Sequence, residues 1–270
     1  MQQAIPDIRE TVRRNQPLIH CISNPISINQ CANAILAVGA RPMMAEHPKE
    51  VSEITQSAGA LMLNLGNITD VRMASMLLSG NTAKHQRIPF LLDAVGIACS
   101  TLRRDYIKTL LQTAMPTVIK GNYSEILALY QQSYRSSGVD ADSGLDIQAI
   151  DRAALALARS LGTVILASGK ADIVTDGSRL YHIHNGTPQL SQVTGTGCLQ
   201  GALCTAYLSA QPGIEAVITG CAVLGVCGEL AQTDRGPGSF LWGLMDALAT
   251  LTDAELEQNL KLEEINIETI

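Results

Sequence analysis

Aromatic side chains are scarce in this sequence, and charged side chains are few. Only 3% of the 270 residues are aromatic and 16% are charged, with a formal net charge of −6 at pH 7. Proteins that bind nucleic acid present basic surfaces to phosphates and, for single strands, aromatic rings to bases. We therefore expect no nucleic-acid partner. The low charge and the 46% of hydrophobic residues also indicate that some apolar surface is buried between subunits.

The seven cysteines lack any Cys-x-x-Cys pair, the spacing typical of zinc sites and redox motifs. Their number is odd, and most of them lie within apolar segments. A disulfide framework needs paired cysteines and an oxidising compartment. The sequence therefore predicts free thiols in a reducing compartment.

No apolar segment is both long and uninterrupted enough to predict a membrane span. The longest, Ala216–Ala231, is interrupted by three glycines and Glu229. A spanning helix needs about 20 predominantly apolar residues, so we predict a buried helix here. The segment Met1–Arg14 is polar and mixed in charge, unlike a secretion signal. We expect a cytoplasmic protein with no membrane partner.

Short, branched, apolar segments alternate with longer segments of helical character. The strand candidates are Leu18–Ile22, Ala60–Leu65, Phe90–Leu92, Thr117–Ile119 and Thr163–Ala167. The helix candidates between them are Ile28–Val38, Val71–Leu78, Leu102–Leu111 and Ile147–Leu161. This alternation predicts parallel strands joined by crossover helices, and strands that are apolar throughout indicate helices on both faces. We predict an α/β fold that forms one domain over residues 1–270.

The pattern changes after Ala167. Two short segments, Asp172–Thr175 and Leu180–His184, flank the turn-forming sequence Asp176–Ser178. This spacing predicts a hairpin, and so an antiparallel edge on the otherwise parallel sheet. Beyond residue 198 the chain is predicted to be helical almost to its end. The segment Tyr130–Gly144 is rich in Ser, Asp and Gly, and we predict an exposed flexible loop there.

Polar residues follow each predicted parallel strand at its carboxyl end. These loops are Ser23–Pro25, Asn64–Asn67, Asp93–Gly96, Lys120–Glu125 and Ser168–Lys170. Ligands of open α/β sheets bind at this edge, where the loops carry the polar residues. We expect the loops to form one site.

The segment Val193–Cys198 places two glycines and two threonines before a long helix of small and apolar residues. Gly195 and Gly197 permit a tight turn and the close approach of a ligand. The first N–H groups of a helix have no intrahelical acceptors and attract anions. Cys198 would lie on the first turn, where the helix dipole favours the thiolate form. Taken alone, this segment fits a phosphate site and an ordinary helix entry with a buried cysteine equally well.

Seven motifs together carry a family resemblance over nearly the whole chain. They are Ser23-Asn24 with Asn29 and Ala32-Asn33, Pro42–Ala45, Asn64–Gly66, Asp93 with Val95-Gly96, Gly121-Asn122 with Glu125, Thr175–Gly177, and Val193–Cys198. In this order they resemble the hydroxyethylthiazole kinase family of the ribokinase-like superfamily. The resemblance implies a three-layer α/β/α sandwich with a mostly parallel sheet. It also implies phosphorylation of the hydroxyl group of 4-methyl-5-(2-hydroxyethyl)thiazole by ATP and Mg²⁺, a step of thiamine salvage.

The resemblance also implies roles for individual residues. Gly195, Thr196 and Gly197 would form an anion hole for the transferring phosphoryl group, a role suited to a reaction that depends on positioning and charge neutralisation. Cys198 stands where much of the superfamily has an aspartate base, and it would either accept the hydroxyl proton or only position the alcohol. The other implied contacts are Asp93 and Glu125 with Mg²⁺, Met44, Gly195 and Asn24 with the thiazole, and Lys120, Ser168 and Asn122 with ATP.

Ordinary structural roles compete with several of these assignments. Glu125 suits helix capping, Met44 suits core packing and Ser168 suits a turn. The chain also departs from the family pattern, because Lys120 replaces an arginine, Ser168 a threonine and Ala94 a proline. The lysine offers a point charge instead of a bidentate fork, so nucleotide affinity is expected to be lower. Loss of the proline frees a φ angle in the loop that carries Asp93, which bears on metal affinity.

Other activities compete with the kinase. Within the fold, a hydroxymethylpyrimidine kinase and an ATP-dependent hydrate dehydratase are alternatives, although those relatives usually keep aspartate at the position of Cys198. A thiol enzyme with a covalent intermediate on Cys198 and a nucleotide-sensing module without catalysis are further alternatives. The family also implies a homotrimer in which a neighbouring subunit completes the thiazole pocket.

The histidines admit a metal-binding interpretation that the sequence does not favour. His182 and His184 lie two residues apart on one face of a predicted strand, without an obvious third ligand. We predict that both are solvated residues of an edge strand. His20 is predicted to pack behind the first loop.

Overall fold

In the part of the chain that the structure describes, nine strands form one sheet flanked by helices on both faces. The computed structural model describes residues 4–131, 133–136 and 146–270. The strands are β1 (Leu18–Ile22), β2 (Arg41–Met43), β3 (Ala60–Asn64), β4 (Phe90–Asp93), β5 (Val118–Asn122), β6 (Val164–Ser168), β7 (Asp172–Thr175), β8 (Leu180–Ile183) and β9 (Leu262–Glu264). The strand order is β2-β1-β3-β4-β5-β6-β7-β8-β9. Neighbours from β2 to β6 pair in parallel, and those from β6 to β9 pair antiparallel.

Helices connect the strands and follow them. They are α1 (Ala4–Asn15), α2 (Ile28–Ala37), α3 (Val51–Ser57), α4 (Asp70–Gln86), α5 (Thr101–Thr113), α6 (Tyr123–Tyr130), α7 (Ile147–Leu161), α8 (Thr196–Leu208), α9 (Ile214–Leu230), α10 (Pro237–Thr250) and α11 (Asp253–Asn259). Short 3₁₀ helices occupy Pro188–Gln192 and Ile267–Thr269. Within the described ranges, no helix combines the length and hydropathy that a membrane crossing needs.

Alternate strand residues supply the cores on the two faces of the sheet. Ile19 and Cys21 of β1 pack into a cluster with α1, α2, α8 and α9, whereas Ile22 packs into a second cluster with α4 and α5. A third cluster joins α6 and α7 to β5, β6 and β7. Because successive side chains of a strand point to opposite faces, strands covered on both faces are apolar throughout. The predicted α/β/α layers and the mostly parallel sheet are therefore confirmed.

The predicted antiparallel hairpin is β7–β8, and one consequence drawn from it was wrong. Strand β9 pairs with β8 through Tyr181–Glu264 and His182–Glu263, so β8 is not the edge strand. His182 is only 6% exposed, and its Nε2 lies 2.8 Å from Asp151 Oδ1. The prediction of two solvated histidines therefore holds for His184 alone, which is exposed. The reason is that α7, through Asp151, covers His182, whereas His184 stays exposed to solvent.

Several short elements have no clear signal in the sequence. Strand β2 contains a proline and only three residues, and β9 reads Leu-Glu-Glu. Helix α6 begins directly where β5 ends, so its first turn resembles a polar loop in the sequence. All seven cysteines are free, as predicted. The loop predicted at Tyr130–Gly144 lies largely outside the described residues.

Candidate active site

Two adjoining cavities lie at the carboxyl edge of the parallel strands. The first, which we call the Cys198 cavity, has a volume of about 660 Å³. Among the residues that line it are Asn24, Asp93, Lys120, Glu125, Gly195 and Cys198. The second, the Gln200 cavity, has a volume of about 590 Å³ and is lined partly by Lys170, Asp172, Thr187, Gln200 and Gly225. The lining residues shared by both are Ser168, Ser191, Thr196 and Gly197, so the cavities meet at the start of α8.

The structure brings together every predicted site residue except one. Asn122, Ser168, Thr196 and Gly197 also line the Cys198 cavity, with the six residues named first. Met44 does not line either cavity of its own chain; it is partly buried against the core that contains β1 and α2. His20 is buried, with Nε2 2.9 Å from the carbonyl oxygen of Ala45 and Nδ1 2.9 Å from Thr55 Oγ1. It therefore contacts α3 and the segment after β2, and its place behind the first loop stays a prediction.

The start of α8 has the geometry of an anion site. Gly195 caps the helix with φ +89°, and a Cβ there would lie 2.8 Å from Ser27 Cβ. A side chain at this position would therefore be strained by backbone and neighbour alike. Thr196 Oγ1 donates to the carbonyl oxygen of Leu190 at 2.9 Å, so this hydroxyl is engaged within the chain. The first N–H groups of α8 have no intrahelical acceptors. Among the described residues, the one atom within 4 Å of a Cβ on Gly197 would be Lys120 Nζ, at 3.9 Å.

Two amide side chains point their N–H groups at Cys198. Asn24 Nδ2 lies 3.1 Å and Asn64 Nδ2 3.3 Å from Cys198 Sγ. Asn24 Oδ1 accepts from the backbone N–H groups of Ile26 and Ser27, and Asn64 Oδ1 accepts from that of Gly66. These acceptors fix which end of each amide faces the sulfur. The half-buried Cys198 is thus held by donors that suit an anionic atom.

Asp93 and Lys120 form a buried ion pair beside Cys198. Lys120 Nζ donates to Asp93 Oδ2 at 3.2 Å, and Asn64 Nδ2 donates to the same oxygen at 3.0 Å. Burial raises the pKa of Asp93, and the Lys120 ammonium group partly opposes that shift. For Lys120, burial disfavours the charged form, but the carboxylates of Asp93 and Glu125 outweigh it and the pKa is raised. Among the described residues, Asp93 Oδ1 is buried and has no hydrogen-bond partner.

Glu125 performs the capping role that competes with metal binding. Its Oε2 accepts from the backbone N–H of Asn122 at 2.7 Å, while Asn122 Oδ1 accepts from the backbone N–H of Glu125, a complete capping box for α6. Its Oε1 accepts from the N–H of Gly96 at 2.6 Å, which ties α6 to the loop after β4. Burial raises the pKa of Glu125 to about 7, helped by the negative charge of Asp93. Each oxygen keeps a lone pair that no backbone N–H group uses, and Glu125 lines the Cys198 cavity.

The Gln200 cavity contains an acidic group that sequence reasoning missed. Asp172, at the start of β7, accepts from Gln200 Nε2 at 2.5 Å through its Oδ2. Burial raises the pKa of Asp172 to about 6, although the Lys120 charge and the Gly169 N–H oppose the shift. The folded chain therefore keeps a proton on Asp172 between about pH 4 and 6, where the unfolded chain has lost it.

This proton makes folding stability depend on pH. Stability that comes from protonated Asp172 is present at low pH and is lost as the pH rises through about 6. Relative to the wild type, Asp172→Asn should gain about 1 kcal/mol of unfolding free energy between pH 5 and pH 8. Urea denaturation of both proteins, followed by circular dichroism at the two pH values, measures the difference. Equal differences at both pH values would contradict the assignment.

Asn64 and Arg103 also escaped assignment from the sequence. Asn64 belongs to a predicted strand-end loop, but only the structure shows that it joins Cys198 to Asp93. Arg103 lines the Cys198 cavity from the first turn of α5, where its Nη1 donates to the carbonyl oxygen of Val95 at 3.1 Å. In the sequence it is one of several charges on an amphipathic helix. The one feature of the sequence that could have indicated a role for Arg103 in the site is its position shortly after the Asp93–Gly96 loop.

Comparison with known proteins settles the family. A model described as the hydroxyethylthiazole kinase family matches residues 9–254. The chain belongs to the hydroxyethylthiazole kinase family. "Hydroxyethylthiazole kinase 2" of Clostridium botulinum is 44% identical over 255 residues, which cover 91% of this chain and 95% of that protein. The predicted family and enzyme class, a kinase with ATP as co-substrate, are thereby confirmed.

Solved structures agree with this family. The hydroxyethylthiazole kinase of Pyrococcus horikoshii OT3 superposes with a TM-score of 0.90 at 29% identity, covering 98% of this chain and all of that one. A ribokinase-like superfamily protein from Enterococcus faecalis superposes with a TM-score of 0.63 at 13% identity, covering 87% and 88%. The second likeness concerns the fold alone. Together with the sheet order, it confirms the ribokinase-like architecture.

Proposed function

We propose that the two cavities hold the two substrates of one phosphoryl transfer. Hydroxyethylthiazole occupies the Cys198 cavity, ATP occupies the Gln200 cavity, and the γ-phosphoryl group lies where they meet, at the start of α8. The observation that carries the proposal is this junction, since Thr196 and Gly197 line both cavities. In-line transfer requires the acceptor oxygen and the donor phosphate on opposite sides of one anion site.

The N–H groups of Gly195, Thr196 and Gly197 supply that anion site. They are oriented by the helix before any ligand arrives, so no reorganisation is needed as charge develops on the equatorial oxygens. The raised pKa of Lys120 keeps its ammonium group charged. Because Gly197 has no side chain, the space between this ammonium group and the start of α8 stays open. Of the predicted ATP contacts, Ser168 lines both cavities, whereas Lys120 and Asn122 line the Cys198 cavity alone. In this proposal those two residues would therefore contact ATP at its γ-phosphoryl group, where the cavities meet.

Asp93 and Glu125 are the residues that would hold Mg²⁺. The unpartnered Oδ1 of Asp93 and the remaining lone pairs of Glu125 are hard oxygen donors, which suit this ion. Bound there, the ion would neutralise charge on the phosphate oxygens. Because both oxygens of Glu125 already accept backbone N–H groups, contact through water suits it better than direct coordination.

Cys198 faces the thiazole alcohol in this proposal. Asn24 and Asn64 hold the sulfur from two sides, and Cys198 lines the cavity in which the alcohol would lie. From there the sulfur accepts the proton of the hydroxyl group or fixes the direction of its oxygen. We treat residues 1–270 as one kinase domain, since one sheet carries both cavities.

The reaction itself is tested with purified protein. ADP release should depend on hydroxyethylthiazole and on Mg²⁺, and mass spectrometry should detect the phosphate ester of the thiazole. Hydroxymethylpyrimidine serves as the competing alcohol and should support much slower turnover. No thiazole-dependent ADP above background would reject the proposal, and ATP binding without product would favour a nucleotide sensor.

Replacement of Gly197 separates the anion site from the stability of the helix. Gly197→Ala should fold normally, because its Cβ meets only Lys120 Nζ at 3.9 Å. It should lower kcat, up to the roughly 10²-fold that losing one donor to the transition state costs, because the methyl group intrudes on the phosphoryl site. Gly238→Ala is the matched control, since Gly238 is likewise the second residue of a helix and has open space around it. Equal activity of both variants would place the phosphoryl group elsewhere.

We also propose a homotrimer whose subunits complete one another's thiazole pockets. Three apolar residues near the sheet edge formed by β2 are exposed in the single chain: Ile26 at 60%, Leu36 at 56% and Met43 at 37%. Ile26 lies at the rim of the Cys198 cavity. Met44, which does not line its own chain's cavity, would contact the thiazole bound to a neighbour.

Sedimentation tests the assembly. The expected mass is three times the 28.7 kDa of one chain. Leu36→Asp should shift the protein toward monomers and raise KM for the thiazole, because a charge replaces buried apolar surface between subunits. A fully active wild-type monomer would overturn this part of the proposal.

A further inference from the structure

Three potential metal ligands lie together at β8 and β9, away from the strand-end loops that carry Asp93 and Glu125. His182 lies in β8 and His184 directly follows this strand, and their ring centroids are 6.0 Å apart. Glu263 pairs directly with His182 across the antiparallel ladder. The cross-strand glutamate is the third ligand that the sequence alone did not suggest.

The distances are short enough for one ion to bridge the three side chains. One ligand atom from each residue lies within 4.8 Å of the other two. Zinc ligands lie about 2.0–2.2 Å from the ion, so tetrahedral ligand atoms are separated by roughly 3.5 Å. His184 and Glu263 are exposed and already 2.9 Å apart, between Nε2 and Oε2, so small rotations of these two side chains would close the site.

A buried carboxylate orients the innermost histidine. His182 Nε2 lies 2.8 Å from Asp151 Oδ1, and both residues are buried. Among the described residues, no hydrogen-bond partner is found for Nδ1 of His182. A histidine that ligates a metal through one nitrogen characteristically bonds a carboxylate through the other, which fixes the tautomer and makes the ring a better ligand. The Asp151–His182 pair has this arrangement.

We propose that His182, His184 and Glu263 form a binding site for a transition metal ion such as Zn²⁺. Two imidazoles and one carboxylate, with water in the fourth position, are a donor set that zinc accepts readily. Magnesium prefers oxygen donors, so this site differs in kind from the one proposed at Asp93 and Glu125. His184 also lines the Gln200 cavity, and a bound ion would therefore lie at the rim of the nucleotide pocket.

Calorimetric titration with ZnCl₂ tests the site on the full-length protein, after removal of metals with EDTA and in the presence of excess Mg²⁺. We expect one Zn²⁺ per chain. His184→Gln and Glu263→Gln should each weaken binding at least tenfold, because each removes one of three ligands. Both positions are exposed, so these variants should fold, whereas His182→Gln would leave Asp151 buried without its partner. His85→Gln removes an exposed histidine on α4 and should leave binding unchanged.

Cobalt spectroscopy separates this site from the cysteines. Co²⁺ should give the visible bands of a tetrahedral nitrogen and oxygen site, without a thiolate-to-cobalt charge-transfer band, and Cys198→Ser should leave the spectrum unchanged. The proposal is overturned if no ion binds, if neither His184→Gln nor Glu263→Gln weakens binding, or if a thiolate band appears. In those cases the residues form two independent pairs, His182–Asp151 and His184–Glu263.

Discussion

Asp93→Asn should lower kcat/KM by about 10³-fold or more and abolish the rise in melting temperature that Mg²⁺ produces. The variant removes the negative charge from the buried oxygen that has no partner within the described chain. Charge stabilisation of a phosphoryl transition state by a metal ion is worth several kcal/mol, and each 1.4 kcal/mol is tenfold in rate. Steady-state kinetics at several Mg²⁺ concentrations and thermal denaturation with and without Mg²⁺ measure the two effects.

Stability needs its own control, because the Asp93→Asn substitution leaves the Lys120 ammonium group buried without its counter-charge. Breaking a buried ion pair from one side costs about 3–5 kcal/mol. The double variant Asp93→Asn with Lys120→Met removes both charges and should recover stability without recovering activity. Asp105→Asn changes an exposed aspartate that pairs with the exposed Lys108, and it should alter neither quantity. If Asp93→Asn kept full, Mg²⁺-dependent activity, the proposal that Asp93 holds Mg²⁺ would be wrong.

The parts of the site that follow strands could be predicted from the sequence. Five apolar segments with polar residues at their carboxyl ends specify parallel strands whose loops meet at one edge. Asp93, Lys120 and Ser168 accordingly line one cavity, although 27 residues separate the first pair. The glycines of Val193–Cys198 predicted the helix start because a left-handed φ at Gly195 leaves little choice of residue.

Contacts between distant segments could not be predicted in this way. No local sequence pattern indicates that Asn64 donates to Cys198, 134 residues away. Nor does one indicate that Glu263 of β9 pairs with His182 of β8. Met44 is a different case, since it does not line either cavity of its own chain, and the thiazole contact that the family implies would be made in a neighbouring subunit of the proposed trimer. Glu125 shows that two interpretations of one residue need not exclude each other: it caps α6 and still faces the cavity.

Cys198→Ala should lower kcat by about 10²-fold or more, within the 10²–10⁴ range that positioned proton acceptors contribute. Alanine removes one acceptor of the Asn24 amide and one of the Asn64 amide, and it leaves the alcohol without a partner. Cys198→Asp should retain activity, because a carboxylate accepts hydrogen bonds from the same two amides and can take up a proton. Single-turnover kinetics, which isolate the chemical step from product release, give the comparison.

The pH dependence of Cys198→Asp distinguishes the two roles left open for the sulfur. If residue 198 removes the proton, the aspartate variant should remain active at lower pH than the wild type, because a carboxyl group stays ionised to lower pH than a thiol. If the sulfur only positions the alcohol, the two profiles should share their shape and differ only in height. Complete inactivity of Cys198→Asp, together with a covalent adduct on the wild-type thiol, would instead favour a thiol enzyme.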